Sequence, residues 1–310
     1  MTKLNIVVAD AFTDMDVEKS VLAPLNADIV VGHCRSDDDV VALARDADAL
    51  IVHWVPITRK AIEQLTRCQI ITRYGIGLDN IDLTAARERG IYVANVPDYC
   101  IDEVASQTLG FLLALGRRIF LSDRLMRQGR WEIGDEIGPV RRFQRQTLGL
   151  VGLGRIGRRV AQLATPLGMR ILGYDIQPPK DPGPVTLAGL ETVIREADYL
   201  SVHCPLMEET RHLINAATLG IMKPTSFLIN VARGGVVDTM ALIEALTRKQ
   251  IAGAALDVFE EEPLPLEHPL RKMENVILTP HTAAYSSDAL REIREGVGRN
   301  VLHFFQRRRD

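Results

Sequence analysis

An arginine directly follows an apolar run in the segment "INVARGGVVD", residues 229–238. The run is rich in β-branched residues, which is typical of a buried strand. Arg233 ends the run and is followed directly by two glycines. A guanidinium keeps its charge at any ordinary pH and is rarely buried without a partner. Its planar fork also matches the geometry of a carboxylate. The segment therefore indicates an anionic partner for Arg233, supplied either by the chain or by a bound molecule.

A second segment, "GLVGLGRIGRRVA", places Gly152, Gly154 and Gly157 in the spacing Gly-x-Gly-x-x-Gly. This spacing alone is weak evidence, but here it follows a strand pattern and opens a helix pattern. The first glycine permits a tight turn, the second lets the backbone approach a pyrophosphate, and the third lets the helix pack on the strand. The pyrophosphate then lies at the helix N-terminus. The segment predicts a dinucleotide-binding site.

An acid stands where this glycine pattern requires one, about 20 residues further along and at the end of the next strand pattern. In "RILGYDIQPP" that residue is Asp175. A carboxylate there accepts a hydrogen bond from the ribose 2′-hydroxyl and repels a 2′-phosphate. The next residues, Ile176 and Gln177, supply no arginine for such a phosphate. We therefore predict NAD as the cofactor and expect NADP to be disfavoured.

A separate glycine cluster lies in "RYGIGLDNID", where Gly75 and Gly77 follow a strand pattern. The fingerprint spacing is absent, so the cluster is either a simple turn or a loop whose backbone N–H groups bind an anion such as a carboxylate. Arg73, just before it, either reaches a substrate phosphate or pairs with a nearby acid.

The elements that must position these residues alternate along the chain. Short apolar strands are separated by helical patterns such as residues 37–45 and 58–67, which is typical of parallel α/β layers. The strand patterns form two series: LNIVVAD, ADIVVGH, ADALIVH, QIITRY and GIYVANVP, then TLGLVGLG, MRILGYD, ADYLSVHCP, SFLINVARGG, AGAALDVFE and NVILTPH. The fold class we predict is α/β, with two doubly wound, Rossmann-like parallel-sheet units in series.

Between the two series, residues 101–128 are predicted to form one long helix. Asp102 and Glu103 lie in its first turn, where the helix dipole favours acids. Its middle, "TLGFLLALG", is apolar on nearly all sides, which favours burial between domains or subunits. A further helix is predicted over residues 286–309, and its last residues are a charge run that we interpret as a solvated helix end.

The bulk composition is that of a globular enzyme. The chain has 310 residues and a formal net charge of −3, so no basic face for nucleic acid or a membrane surface is expected. The chain begins with a strand pattern instead of a signal peptide, and no apolar run has the length of a membrane span. The four cysteines are widely spaced and form no CxxC pair, which indicates reduced thiols and no metal site. We expect a cytoplasmic protein.

Five segments in order resemble the D-isomer-specific 2-hydroxyacid dehydrogenases. They are YGIGLDNID, the GLVGLGRIG fingerprint, NVARGG, ALDVFEEEPLPLEHPL and ENVILTPHTAA. The resemblance covers most of the chain and is strongest over residues 73–285. It implies an NAD-dependent oxidoreductase that acts on the CH–OH group of a 2-hydroxy acid or reduces a 2-keto acid.

The resemblance assigns catalysis to Arg233, Glu262 and His281. Reduction of a 2-keto acid needs a hydride, a proton for the carbonyl oxygen and a cation for the carboxylate. His281 is the expected proton donor, because an imidazole titrates near neutral pH. Glu262 is chosen over its neighbours Glu260 and Glu261 because the family's acid directly precedes a proline. Arg233 is expected to bind the substrate carboxylate and carbonyl, with Gly234 and Gly235 leaving room for it.

The resemblance implies further binding residues. The expected substrate-carboxylate loop is Tyr74, Gly75, Ile76 and Gly77. The expected cofactor contacts are Gly152, Gly154, Arg155, Ile156, Gly157, Asp175, His203, Cys204, Pro205, Val231, Ala232, Arg233, Asp257 and His281. It also implies a discontinuous substrate domain of flavodoxin-like type over residues 1–98 and 286–310, an NAD-binding Rossmann domain over residues 99–285, and an active-site cleft between them. A homodimer through residues 101–128 is expected.

Two functions of different classes remain at this point. The first is a 2-hydroxyacid dehydrogenase; the second is a non-catalytic NAD(H)-sensing protein like the C-terminal-binding-protein corepressors of the same family. An acid at Glu262, where formate dehydrogenases have glutamine, favours keto-acid reduction. The corepressors have a tryptophan three residues after the histidine, whereas this chain has Ala284. The complete Arg–Glu–His set favours the enzyme.

Overall fold

The computed structural model describes residues 3–10 and 14–307. These residues divide into two compact units. The terminal unit is bounded by Met1–Tyr99 and Ser286–Asp310, and the central unit is Cys100–Tyr285. Each unit has its own parallel sheet, so the predicted α/β fold is confirmed.

Over the residues that the structure describes, the terminal unit contains five strands and five α-helices. The strands are β1 (Asn5–Val8), β2 (Asp28–Val31), β3 (Ala49–Val52), β4 (Ile70–Arg73) and β5 (Tyr92–Ala94). The helices are α1 (Asp16–Leu22), α2 (Asp37–Ala44), α3 (Arg59–Gln64), α4 (Leu83–Glu88) and, after the central unit, α12 (Ser287–Gln306). Residues 308–309, which the sequence assigns to the last helix, lie outside the described residues.

All strand pairs of the terminal sheet are parallel, in the order β2-β1-β3-β4-β5. The strands β3 and β4 are buried along their whole length, as is usual in parallel sheets that helices cover on both faces. The sequence of β3 is apolar throughout, whereas β4 ends in the buried polar residues Thr72 and Arg73. The strand order reverses between β1 and β3. In open α/β sheets, ligands bind beyond the carboxyl ends of strands at such a point.

The central unit contains seven strands and seven helices. The strands are β6 (Thr147–Val151), β7 (Arg170–Tyr174), β8 (Thr186–Leu187), β9 (Tyr199–Val202), β10 (Phe227–Asn230), β11 (Gly253–Leu256) and β12 (Val276–Leu278). The helices are α5 (Ile101–Gly116), α6 (Ile119–Arg127), α7 (Gly134–Ile137), α8 (Arg155–Ala164), α9 (Leu190–Glu196), α10 (Ala216–Gly220) and α11 (Thr239–Thr247).

The central sheet is parallel, in the order β12-β11-β10-β9-β6-β7-β8. Its register aligns the strand ends: Val151 of β6 pairs with Val202 of β9, which pairs with Asn230 of β10. Asn230 in turn pairs with Leu256 of β11. The residues that follow these positions therefore meet at one edge of the sheet. The edge strand β8 is only two residues long and was not predicted, because two residues carry no periodicity.

The single helix predicted over residues 101–128 is wrong. The chain forms α5 and α6, bent by 61° at the break between them. Arg118 has a left-handed backbone (φ 54°), which ends the α-helical path, and its guanidinium packs 4.6 Å from the centre of the Phe227 ring. Gly116 lets the chain pass close to Phe143 and Tyr199, where a Cβ would lie 2.6 Å from either side chain. Tertiary packing overrides an apolar pattern that runs on through the break.

Over the described residues, no individual helix combines the length and apolar character of a membrane span; only the bent pair α5 and α6 meets that test when taken together.

Candidate active site

The glycine fingerprint forms a tight turn between β6 and α8. Gly152 has φ 97°, and a Cβ there would lie 2.6 Å from the backbone of His203 and Cys204, which follow β9. A Cβ on Gly157 would lie 2.1 Å from the carbonyl oxygen of Gly152. Any side chain at these two positions would displace backbone atoms. The turn therefore requires glycine at both positions, as the sequence predicts.

Gly154 differs from the other two fingerprint glycines. It is the N-cap of α8, and a Cβ there would meet nothing within 4 Å among the described residues. The fold does not require a glycine at this position. The open space beside the helix N-terminus is what a pyrophosphate needs in order to approach the backbone.

Asp175 follows β7 and closes the turn from the other side. Its carboxylate accepts hydrogen bonds from the N–H of Leu153 at 2.7 Å and of Gln177 at 2.8 Å. Each oxygen retains acceptor capacity for a ribose hydroxyl. The glycine turn, the open helix end and this acid together fit a dinucleotide.

The first two residues after β9, His203 and Cys204, are uncharged. Burial lowers the pKa of His203 to about 3, so its imidazole is neutral, and its Nε2 lies 2.8 Å from the Ser201 hydroxyl. Its Nδ1 is buried and has no hydrogen-bond partner within the described part of the chain. Burial also raises the pKa of the Cys204 thiol to about 11, so Cys204 is not a thiolate nucleophile. Pro205, Val231 and Ala232 lie at the same edge of the sheet.

Arg233 lies at the end of a turn that a buried asparagine stabilises. The side-chain amide of Asn230 donates to the Arg233 carbonyl at 2.9 Å, and its oxygen accepts from the Ala232 N–H at 3.1 Å. The guanidinium donates to the Ala232 carbonyl at 2.8 Å. The side chain is partly exposed, so it can exchange that contact for a stronger bond to an anion.

The expectation that Gly234 and Gly235 leave room for a substrate is wrong. A Cβ on Gly234 would lie 1.9 Å from the carbonyl carbon of Phe259, and one on Gly235 would lie 3.1 Å from Leu206. Gly234 therefore lets the loop after β11 pack against the arginine turn. Because that loop carries Glu262, the glycine brings the predicted acid close to Arg233.

Glu262 and His281 form a hydrogen-bonded pair. The Glu262 Oε2 and the His281 Nδ1 are 2.6 Å apart, and Oε1 accepts from the Phe259 N–H at 2.8 Å. Burial acts to raise the pKa of Glu262, but the bonds from His281 and Phe259, with the charges of His281 and Arg233, hold that pKa below its usual range. Glu262 is therefore an ionised acceptor, and the His281 Nδ1 carries a proton.

The two neighbouring glutamates have different surroundings. Glu260 lies 2.6 Å from the Nε2 of His212 and accepts from the Thr239 N–H at the start of α11. Glu261 is exposed. Of the three acids, Glu262 is the one that the structure places against His281.

The loop that carries His281 is held by a fully buried carboxylate. Asp257 accepts hydrogen bonds from the N–H groups of Thr282 and Ala283, both at 2.9 Å, and from the Thr279 hydroxyl. His281 donates its own N–H to the Asp257 carbonyl at 2.8 Å and has φ 53°, a strained conformation of the kind that clusters at functional sites. Asp257, predicted as a cofactor contact, thus also fixes the backbone of His281.

The loop after β4 carries the predicted carboxylate-binding residues. The N–H groups of Gly75, Ile76 and Gly77 donate no hydrogen bond within the described residues. The Tyr74 side chain is 1% exposed, and its hydroxyl donates to Glu18 at 2.9 Å. The Tyr74 phenol therefore points into the core of the terminal unit, and the groups that can bind an anion are the three N–H groups.

Arg73 is 5% exposed and bonds to backbone within its own unit. It donates to the Gly77 carbonyl at 2.8 Å and to the His53 carbonyl at 3.1 Å. It is thereby a bridge between the loop after β3 and the loop after β4. This geometry favours a structural contact over the alternative of reaching a substrate phosphate.

Asp10 is a residue that sequence reasoning missed. It lies just after β1, where the strand order of the terminal sheet reverses, and accepts from the N–H groups of His53, Trp54 and Val55. Burial raises its pKa, partly offset by those bonds and by the charge of Arg73. The sequence signal that could have identified Asp10 is an acid at the end of the buried strand pattern "LNIVVAD".

These features define an NAD-binding α/β oxidoreductase with an acid–base pair beside an arginine. The family model described as "D-isomer specific 2-hydroxyacid dehydrogenase, NAD binding domain" matches residues 109–283. The chain belongs to the D-isomer specific 2-hydroxyacid dehydrogenase family, as the resemblance in the sequence predicted.

Named relatives agree with this assignment. The glyoxylate reductase of Thermofilum pendens is 40% identical over 89% of this chain and 84% of its own length. The D-3-phosphoglycerate dehydrogenase of Methanocaldococcus jannaschii is 39% identical over 81% of this chain but only 48% of its own length. The structure of the D-lactate dehydrogenase from Aquifex aeolicus, complexed with NAD and lactic acid, has a TM-score of 0.88 and 29% identity, covering 97% of this chain and 96% of that one. The chain is thus an NAD-dependent oxidoreductase that acts on a hydroxy or keto acid.

Proposed function

We propose that this protein reduces a small 2-keto acid to the D-2-hydroxy acid, with His281 as proton donor, Glu262 as its orienting acid and Arg233 as the cation that binds the substrate. The observation that carries the proposal is the 2.6 Å contact between Glu262 and His281, whose strength shows in a lowered Glu262 pKa to which the Arg233 charge contributes. A hydrogen-bonded carboxylate and imidazole with an arginine charge nearby are of use to a reductase, which must deliver a proton and bind an anion at one place.

When bound, NADH supplies the hydride that reduces the carbonyl carbon. His281 then gives a proton from Nε2 to the carbonyl oxygen, while its Nδ1 stays bonded to Glu262. Glu262 remains ionised throughout and stabilises the protonated ring. Arg233 binds the substrate carboxylate and polarises the carbonyl, and the N–H groups of residues 75–77 bind the carboxylate as well.

The cofactor would be held by the central unit. Gly152, Gly154, Arg155, Ile156 and Gly157 would surround the pyrophosphate, and Asp175 would accept from the ribose and disfavour NADP. The remaining contacts would come from strand ends: His203, Cys204, Pro205, Val231, Ala232, Arg233, Asp257 and His281. The neutral His203 supports this assignment because its buried Nδ1 is an acceptor or donor still to be satisfied.

The relatives' names guide the choice of substrate. Several are glyoxylate reductases and one is a hydroxypyruvate reductase, each covered over at least 80% of its length. We therefore propose glyoxylate or hydroxypyruvate as the first substrates to test. The phosphoglycerate dehydrogenases are covered over about half their length, and the burial of Arg73 gives no support to a phosphorylated substrate.

We also propose a homodimer through residues 101–128. In support, Ile119, Phe120 and Met126 of α6 are exposed apolar side chains, and Trp131 just beyond them is 82% exposed. The terminal unit would be the substrate domain and the central unit the NAD domain. A cytoplasmic location agrees with four buried cysteines that are free thiols.

The test is loss of NADH absorbance on mixing with glyoxylate, hydroxypyruvate, phosphohydroxypyruvate, pyruvate or phenylpyruvate. We expect turnover of at least one acid, slower with NADPH, and a fall in kcat of about 100- to 10,000-fold in His281→Ala. The matched control is His303→Ala, which removes an exposed imidazole in the last turn of α12.

The second candidate is a non-catalytic NAD(H) sensor. Two results together would favour the sensor and contradict the reductase. The protein would bind NADH tightly without turnover of any acid in the panel, and its self-association would weaken when the cofactor is removed.

A further inference from the structure

The carboxylate-binding loop, residues 75–77, has a sequence poorly suited to holding its N–H groups in place. Two of its three residues are glycines, which have the widest backbone freedom of any residue. A loop that must be ordered when it binds its ligand loses affinity, because the ordering costs conformational entropy. The rigidity must therefore come from other parts of the terminal unit.

The first support acts on Tyr74, the residue just before the loop. Its hydroxyl donates to Glu18 of α1, and the ring is buried. Burial, followed by the charge of Glu18, raises the pKa of Tyr74, so the phenol keeps the proton that it donates. The direction of this side chain fixes the backbone from which Gly75 departs.

Glu18 can hold that bond only because α12 supplies a counter-charge. Its side chain is 0% exposed, and Arg294 donates to both of its oxygens at 2.9 Å. Arg294 also donates to the Asp14 carboxylate at 2.6 Å. Bonds to these acids raise the pKa of Arg294, so the guanidinium stays charged. A buried carboxylate without such a partner would be strongly destabilising.

The second support acts on Ile76, inside the loop. The Asn95 side chain donates to the Ile76 carbonyl at 2.6 Å. Asn300, also on α12, donates to the Asn95 carbonyl and to the Thr72 hydroxyl of β4, both at 3.0 Å. Asn300 thus connects α12 to β4, the strand before the loop, and to Asn95, the residue that bonds to Ile76 in the loop.

We infer that Arg294 and Asn300 of α12 are positioning residues for the carboxylate-binding loop, acting through Glu18–Tyr74 and through Asn95–Ile76. The inference rests on the proposed function, because the loop matters only if it binds a substrate carboxylate. Neither residue touches the substrate; each limits the movement of the three N–H groups that do.

The experiment compares Tyr74→Phe, which removes one hydroxyl, with Asn300→Ala, which breaks the second support without removing a charge. Tyr74→Phe removes the bond to Glu18, and Asn300→Ala removes the bonds to Asn95 and Thr72. In each variant we expect the KM of the keto acid to rise about 3- to 10-fold, the size of effect that the net loss of one hydrogen bond gives. The kcat is expected to stay within about two-fold, because a lost binding contact acts on KM alone. The Kd for NADH stays unchanged, since the cofactor residues lie in the central unit.

Amide hydrogen exchange, measured without substrate, is the second readout at Tyr74 and Val96, whose N–H groups donate to the Val52 carbonyl at 2.8 Å and the Gly75 carbonyl at 3.1 Å. We expect faster exchange there in both variants, by roughly 10-fold. The matched control is Arg299→Ala, on the exposed face of α12, where Arg299 pairs only with Glu295 among the contacts described. The Arg299→Ala variant should change neither the KM of the keto acid nor the amide exchange at Tyr74 and Val96.

Unchanged exchange at Tyr74 and Val96 in both variants overturns the inference. A lower Tm with unchanged KM overturns it as well, because the residues would then support the fold and not the loop. If the wild-type protein reduces no keto acid, the proposed function fails, whereas the exchange data still decide whether α12 holds the loop.

Discussion

Two glycine-rich loops follow parallel strands in this protein, and they are held in opposite ways. In the loop of residues 152–157, the contacts that require glycine come from within the loop and from the residues after the adjacent strand β9. The acid that accepts a hydrogen bond from this loop, Asp175, directly follows the next strand, β7. In the loop of residues 75–77, the supports are Tyr74, Arg73 and side chains of α12. The Glu18–Arg294 bond spans 276 positions of the chain.

The difference teaches which binding sites a sequence reveals. A loop shaped by its own residues keeps a fixed spacing, so its function is visible in a short segment. A loop held by distant residues shows only its glycines, and its geometry depends on contacts that no local pattern records.

Gly157→Ala should have the largest effect of the changes that test this comparison. A Cβ would lie 2.1 Å from the Gly152 carbonyl oxygen, and a backbone atom cannot move aside cheaply. We expect the free energy of unfolding to fall by about 3 kcal/mol or more, with NADH binding lost. Urea unfolding measures this, with Gly220→Ala as control because a Cβ there meets nothing within 4 Å. Equal stability of the two variants would mean that the turn is not closed by local contacts.

Gly154→Ala should separate binding from folding. The position is open, so the unfolding midpoint should stay close to that of the wild type, yet the added methyl group occupies space that the pyrophosphate needs. A steric cost of 1–3 kcal/mol corresponds to a rise in the NADH Kd of about 10- to 100-fold. Gly189→Ala, the open N-cap of α9, is the matched control. An unchanged Kd, measured by NADH fluorescence titration, would place the pyrophosphate elsewhere.

Gly75→Ala tests the other loop. Its φ is 151°, and a Cβ would lie 2.4 Å from the Arg73 guanidinium. Since that guanidinium also holds Gly77, we expect the KM of the keto acid to rise about 10-fold, with the NADH Kd unchanged. Gly90→Ala has a positive φ (67°) but no close contact, so it should lower stability without affecting KM. If both variants raise KM equally, backbone strain alone explains the result.

Glu262→Gln provides a reference outside both loops, and its expected effect on the free energy of unfolding is smaller than that of Gly157→Ala. The folded-state pKa of Glu262 is below its ordinary value, so its contribution to stability is present above the unfolded pKa and is lost as pH falls through the folded pKa. We expect the variant to be about 1 kcal/mol less stable at neutral pH, with the difference shrinking below about pH 4.5. Urea midpoints across pH, with Glu261→Gln as control, measure it. A gap that widens in acid would contradict the assigned direction.

Much of the fold followed from local patterns. Every strand of four or more residues lies within a predicted segment, because alternation of apolar runs and turns survives in any context. The dinucleotide turn and Asp175 could also be predicted from the sequence, because the glycine spacing and the position of the acid form one local pattern. The break after Gly116 was not, because the Arg118–Phe227 contact that accompanies it joins residues far apart in the chain.

The site was predicted unevenly for the same reason. The choice of Glu262 over Glu260 depended on a family motif, and only the structure gives Glu260 its own partner in His212. The direction of the Tyr74 side chain and the packing of Gly234 against Phe259 are tertiary facts. No spacing of residue types could have indicated them.

The position of α12 also sets the order in which a newly made chain can complete its fold. The supports of the loop at residues 75–77 join residues 205 and 276 positions apart. At about 5–20 residues per second of synthesis, roughly 10–45 s pass between translation of the loop and translation of Arg294 and Asn300. During that interval Glu18 has no Arg294 to neutralise it in a closed core. A ribosome-bound chain can therefore complete its nucleotide-binding sheet while the terminal sheet still awaits the helix that closes it.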